Sequence, residues 1–272
     1  MRLLYLLVYY SGIIGITDFI YYKILKKVHV PVLVYHSISD DNNINPLCVS
    51  KRVFENQLKY LCSRYTIIPF SEVSNEMINF TSFNKPPISI TLDDGIKDNY
   101  TNALPLLIKY KAVATIFLTS RNIDAKKDDD FKILFPFETL SSGDIIEMRN
   151  NGIEIGGHTV THPVLSLIDN SQQKAEIIEC LKIIEGIIKI PVKIFAYPFG
   201  GRDTFTNETI MILKDVGIES AATSYNGIND KKTDKYKMRR VIIIDEPLYI
   251  FKVRISVFNI LIKGLFRSYG RN

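Results

Sequence analysis

Thr91-Leu92-Asp93-Asp94-Gly95 follows Pro86-Pro87 and the β-prone run Ile88-Ser89-Ile90. It reads as a strand that ends in a glycine turn. Two adjacent carboxylates at such an end are costly if buried and unpaired, because each resists ionising beside the other. A strand that spends its last residues on Asp-Asp is therefore either solvated or holding a cation. An ordinary Asp-Asp-Gly turn is written with the same letters. What separates the two readings lies downstream, in His158-Thr159-Val160-Thr161-His162.

Around that stretch, strand and helix patterns alternate. Residues 32–35 read as a short buried strand, with His36 just past its end. Phe54, Leu58 and Leu61 share one helical face, and 67–68 reads as extended. Residues 100–110 form a helical pattern in which Pro105 is either a kink or a restart. Strands are expected at 113–118, at 153–155 running into Gly156-Gly157-His158, at 193–196 ahead of Tyr197-Pro198-Phe199, at 218–223 and at 241–244 behind Arg239-Arg240. Helices are expected at 141–150, capped by Ser141 or Ser142, and at 171–189, 206–216 and 248–266. The charged run 124–130 reads as a solvated loop. Such alternation predicts parallel βαβ units, hence an α/β barrel or a doubly wound sheet. In either, ligands gather beyond the C-terminal strand ends. His36, Asp93-Asp94, His158 and Tyr197-Pro198-Phe199 all fall there and can converge.

The chain of 272 residues is within the range of one α/β barrel, and 46% apolar with 23% charged residues supports a large core. A net charge of +5 comes without a Lys/Arg block or a basic-aromatic stripe, so no nucleic-acid partner is expected. The three cysteines, Cys48, Cys62 and Cys180, form no CxxC pair, which argues against a disulfide framework or a zinc–thiolate site. Of the four histidines, His29 precedes a strand and is expected at the surface.

Residues 3–22 are mostly apolar, with Gly12, Gly15 and one acid, Asp18. A cleaved signal peptide is not expected, since Arg2 is the whole basic start and no small-x-small site follows. A span is barely long enough and would put Asp18 in hydrocarbon. The division is residues 1–28 as an apolar helix, packed on the domain or touching a membrane surface through 1–27, and 29–272 as the α/β domain with its C-terminal helix. Localisation is expected to be membrane-associated or cytoplasmic, with Lys23, Lys26 and Lys27 able to face anionic headgroups.

His158 and His162 are four apart, which on a helical turn puts both imidazoles on one side, able to grip one metal ion. The alternative is a loop whose histidines bond only to backbone. One carboxylate of the Asp pair would complete a two-His, one-Asp set that leaves room for water, and the other Asp would be free to take a proton. Zinc suits the set, and other first-row ions do too.

Together, Thr91-Leu92-Asp93-Asp94-Gly95 and His158-Thr159-Val160-Thr161-His162-Pro163 resemble the first two motifs of the polysaccharide deacetylases, the NodB-homology family of carbohydrate esterases. Phe195-Ala196-Tyr197-Pro198-Phe199-Gly200 is similar to the third motif in the branch that includes poly-N-acetylglucosamine deacetylases, and Pro31 to His36 to its opening strand. The resemblance spans roughly residues 30–245. It implies a distorted (β/α)7 barrel, a divalent metal, and removal of N-acetyl groups from an amino-sugar polysaccharide or glycolipid. It makes Asp94, His158 and His162 the metal ligands and Asp93 the general base. Metal-bound water would be the nucleophile, and a backbone N–H near Phe199 an oxyanion donor. Tyr197, Pro198 and Phe199 would line the substrate site.

Two features depart from the family pattern. No histidine follows His162, so the late-chain general acid is absent; the resemblance offers His36 instead. The third motif lacks the Arg that orients the base in many relatives; Arg239 or Arg240 could reach in from the last strand, Arg240 being preferred, with surface salt bridging as the alternative for either. An O-acetyl esterase, or an inactive barrel that only binds glycan, are the competing functions.

Overall fold

The computed structural model describes residues 2–25, 29–41, 46–74, 77, 85–125 and 137–259. Its strands are β1 (Val32–Tyr35), β2 (Ser37–Ile38), β3 (Cys48–Val49), β4 (Thr66–Ile68), β5 (Pro87–Leu92), β6 (Thr115–Leu118), β7 (Glu154–Gly157), β8 (Ile194–Ala196), β9 (Ser220–Asn226) and β10 (Met238–Ile242). The parallel order β1-β10-β9-β8-β7-β6-β5 closes on itself through β1–β5 pairing, so the barrel is a seven-stranded ring. β4 lies outside the ring, paired with the first half of β5, while β6 pairs with the second half. β2 and β3 form a separate two-stranded sheet. This is the distorted (β/α)7 barrel expected from the family resemblance.

Strand β5 shows why the barrel closes here. Its side chains alternate: Ile88, Ile90 and Leu92 join the large cluster between sheet and helices, whereas Ser89, Thr91 and then Asp93 are buried without joining it. The outward three contribute about 1.5–3 kcal/mol each by leaving water. Inside the barrel a smaller apolar cluster, including Val32, Phe70, Phe117, Ile194 and Met238, fills one end. Gly156 on β7 faces it, and a Cβ there would stand 2.5 Å from the Phe117 ring.

Helices Lys51–Arg64, Ser142–Asn150, Asn170–Ile188 and Asn207–Asp215 supply the outer layer, the last three opened by capping boxes at Ser141, Asp169 and Thr206. Pro105 marks a restart: a π-turn at Asn99–Ala103 leads into the helix Leu104–Tyr110 with the proline in its first turn, where its missing N–H costs nothing. The three cysteines are free.

The apolar N-terminus departs from the single helix expected. It forms two short helices, Arg2–Tyr10 and Ile13–Phe19, separated at Gly12 (φ +71°), and then a π-turn, Ile20–Ile24. Among the described residues no helix is long and apolar enough to cross a membrane. His29 is not a free surface residue: its ring stacks on Tyr21 with centroids 4.6 Å apart. The C-terminal helix is described as Leu248–Ile255; the rest of the expected 248–266 helix lies largely outside the described residues, as does most of the 124–130 loop.

Candidate active site at the barrel mouth

Each strand end delivers one part. After β5 the chain turns sharply, with Asp94 at φ +77° and Gly95 at +76°. After β7, Thr159 (+67°) and His162 (+60°) are left-handed, and after β8 so are Phe199 (+60°) and Gly200 (+59°). Four non-glycine residues in that region, all at one rim, mark a place where backbone strain is held by the surroundings. Gly200 admits no substitute easily, since a Cβ would lie 2.4 Å from the Ser224 nitrogen.

His158 and His162 therefore converge through a left-handed loop and not through the helical turn expected from their spacing. Glu176, on the helix Asn170–Ile188, holds that loop: one carboxylate oxygen accepts from the Val160 and Thr161 amides at 2.8 and 2.9 Å, the other from the Thr161 hydroxyl at 2.6 Å. The His162 amide donates to the Thr159 hydroxyl oxygen at 3.0 Å. A Glu on an amphipathic helix carries no sequence signal of this role.

Asp94 Oδ1 stands 3.5 Å from His158 Nε2 and 3.6 Å from His162 Nε2, and the ligand atoms of all three lie within 4.8 Å of one another. Those separations are long for hydrogen bonds, and Asp94 Oδ1 is buried without a hydrogen-bond partner among the described residues. A cation about 2.0–2.1 Å from each ligand in a tetrahedral set spaces them by about 3.4 Å, so the three residues fit a divalent ion. His158 Nδ1 lies 2.7 Å from the Ala196 carbonyl, which only accepts, so Nδ1 carries the proton and Nε2 of the neutral ring keeps its lone pair for a ligand.

Asp93 and Arg240 occupy the floor. Arg240 Nη1 and Nη2 donate to Asp93 Oδ1 and Oδ2, both at 2.7 Å; Nε donates to the Thr223 carbonyl and Nη1 also to the Thr91 hydroxyl. Arg240 is 1% and Asp93 3% exposed. The sequence pattern put Arg240 ahead of the last strand. In the structure it lies within β10, pointing into the barrel, and the β9–β10 register shifts just there.

Electrostatics follow from this crowding. Burial pushes the Asp93 carboxyl up, but the Arg240 charge and hydrogen bonds, with His158, outweigh it and leave its pKa below the ordinary value. Burial likewise opposes ionisation of Asp94, yet His158, His36 and His162 draw it down to about 2. For His158 burial acts downward and the two carboxylates reverse it, so its pKa is raised; for His162 burial and the neighbouring His158 bring it to about 4.

His36 lies just past β1, half-buried, with its Nδ1 buried and without a hydrogen-bond partner among the described residues; a positive charge on it would favour the ionised carboxylates of Asp93 and Asp94. Asn99 donates to its carbonyl at 2.7 Å, and Asp98 accepts from Ser37 and from the Ile38 amide, so the two residues brace the loop that carries it. Of the expected substrate contacts, only Phe199 is exposed (56%), its ring set edge-on to His162 at 4.7 Å. Pro198 is buried. Tyr197 is a core residue, contrary to its expected role: it is fully buried, stacked on Phe205 at 3.8 Å, with its hydroxyl donating to the Tyr236 carbonyl.

The seven-stranded parallel barrel thus gathers two histidines and two aspartates at its mouth. Residues 81–221 match the family model described as polysaccharide deacetylase, and the chain belongs to that family. YxkH of Bacillus subtilis strain 168 is 29% identical over 220 residues, covering 80% of this chain and 73% of the relative. The poly-beta-1,6-N-acetyl-D-glucosamine N-deacetylase of Staphylococcus aureus is 25% identical over 241 residues, covering 83% and 78%. Among solved structures, a polysaccharide deacetylase from Bacillus cereus superposes with a TM-score of 0.71 at 30% identity, over 85% of this chain and 70% of that one.

Proposed function

We propose that the chain is a divalent-metal-dependent hydrolase that removes N-acetyl groups from amino-sugar units of a polysaccharide. The observation that carries this reading is the meeting of Asp94, His158 and His162 beside a carboxylate, Asp93, that Arg240 holds in place. The substrate class rests on the family and on the Staphylococcus aureus relative.

Asp94, His158 and His162 would hold the divalent ion, which when bound would supply Lewis-acid chemistry toward water and the acyl oxygen; zinc suits the donor set. Asp93 is the general base. It stays ionised at neutral pH, and each of its oxygens keeps a lone pair beyond the one Arg240 uses. Arg240 does not touch substrate; it positions Asp93. His36 is the acid that protonates the leaving amine, in place of the late-chain histidine that this sequence lacks. The Phe199 amide takes part in no hydrogen bond among the described residues and serves as oxyanion donor, while its exposed ring offers a flat apolar face to a sugar.

The test is acetate release from N-acetylglucosamine oligomers by protein stripped of metal and then repleted, with Asp93→Asn and His36→Ala run beside it. Metal-dependent release that both variants lose is the expected result. Release lost only in Asp93→Asn would remove His36 from the mechanism. No release from any acetylated glycan, despite stoichiometric bound metal, would overturn the enzymatic reading.

A further inference from the structure

Seven of the fourteen large apolar side chains left exposed among the described residues fall within residues 7–25. Singly scattered apolar residues are ordinary on a surface; a concentration of this kind marks a contact. Leu7, Tyr10, Ile16, Phe19, Ile24 and Leu25 are each 52–79% exposed. The opposite side of the same segment is fastened to the barrel. Tyr21 and Tyr22 pack with Val257, the Val257 amide donates to Asp18 at 3.2 Å, and Lys252 donates to the Tyr9 hydroxyl at 3.2 Å. The segment is thus docked along one side and bare along the other.

Among the described residues neither of its helices is long enough to cross a membrane by itself. Helices of 9 and 7 residues rise about 14 and 10 Å, against a hydrocarbon core of about 30 Å. Its charge selects the partner. The first 27 residues hold Arg2, Lys23, Lys26 and Lys27 against one acid, Asp18, and that acid is turned inward to Val257. Exposed apolar side chains in a stretch whose sequence carries a basic excess are the chemistry of an interfacial helix on an anionic bilayer; Lys26 and Lys27 lie outside the described residues and enter by sequence alone. We propose that residues 5–25 seat the barrel on an anionic lipid surface as a peripheral, non-spanning face.

Flotation of the purified full chain with vesicles tests this without reference to acetate release, so it stands apart from the catalytic reading. Vesicles of phosphatidylcholine alone are compared with vesicles that also contain phosphatidylglycerol. The expected result is salt-sensitive flotation with the mixed vesicles only. Partitioning should fall about tenfold in Phe19→Ser/Ile24→Ser and in Lys26→Glu/Lys27→Glu, with unchanged melting temperature. Equal flotation with uncharged vesicles, or none with the mixed ones at low salt, would overturn the proposal. So would light scattering that shows a dimer which Phe19→Ser/Ile24→Ser converts to monomer, because the face would then belong to a second copy.

Discussion

Arg240 and Asp93, 147 positions apart in the chain, form a two-point ion pair sealed from water at the barrel mouth. Breaking one side of such a pair leaves a buried charge alone, at a cost of about 3–5 kcal/mol. Arg240→Met should therefore lower the melting temperature sharply. Arg240→Lys keeps the charge but not the planar fork, so it should fold better and still lose activity. For Arg240→Lys we expect kcat to fall about 10–100-fold with KM little changed and metal content intact. A variant with full kcat would show that the pair is structural only.

The metal set makes a separate prediction. Asp94→Ala or His162→Ala should lose bound metal, measured by elemental analysis, as well as acetate release. In the wild type, chelation should lower the melting temperature and zinc should restore it, since an ion bound to the native state at a hundredfold excess over Kd contributes about 2.7 kcal/mol. Asp93→Asn should differ from both, inactive but metal-replete. If Asp94→Ala retained stoichiometric zinc, the three-residue site would be wrong.

Glu176 is expected to act through the loop it holds. Glu176→Ala removes three hydrogen bonds from residues 160 and 161, which lie between the two histidines and next to a left-handed Thr159. Metal affinity should drop about 10–100-fold, as for other groups that orient ligands, with the helix and the overall fold retained. Glu176→Gln, able to accept on one oxygen, should fall between. Metal titration followed by circular dichroism separates the two effects, and unchanged affinity in Glu176→Ala would remove Glu176 from the site.

What could be read in the sequence were the local patterns. The strand-to-turn passage at Asp93-Asp94-Gly95 and the alternation of strands and helices sufficed for parallel βαβ units, because period and punctuation are properties of neighbours; they left a barrel and a doubly wound sheet both open, and the choice of a (β/α)7 barrel came from the family resemblance. The site was readable as residue types but not as geometry. His158 and His162 were expected on a helical turn, yet Thr159 and His162 adopt positive φ, which non-glycine residues rarely do and no propensity announces. Arg240 was placed ahead of its strand, because a hydropathy pattern treats a buried arginine as an interruption; only Asp93, brought beside it by barrel closure, explains it. Tyr197 read as a substrate contact from its motif, but stacking on Phe205 makes it core. Glu176, Asp98 and Asn99 were missed because their partners, backbone groups and hydroxyls of other segments, are brought near only by the fold.

Glu246 supplies a pH dependence that is free of the catalytic site. It accepts from Arg254 at 2.6 Å, but its other oxygen, Oε1, is buried without a partner among the described residues. Burial outweighs the arginine and pushes its carboxyl from 4.5 up to about 7. A raised native pKa means the folded protein binds this proton more tightly than the unfolded chain. Its contribution is fully present below about pH 4.5 and is lost as pH rises through about 7. Glu246→Gln keeps the shape and the acceptor for Arg254 while never ionising. It should match wild type near pH 4 and exceed it by about 3 kcal/mol near pH 8.5, read as a difference in melting temperature that opens between about pH 4.5 and 7. Because every other titrating group is common to both proteins, the difference isolates this one. A Glu246→Gln variant that is less stable than wild type at the higher pH would mean that the Arg254 pair outweighs the burial it suffers.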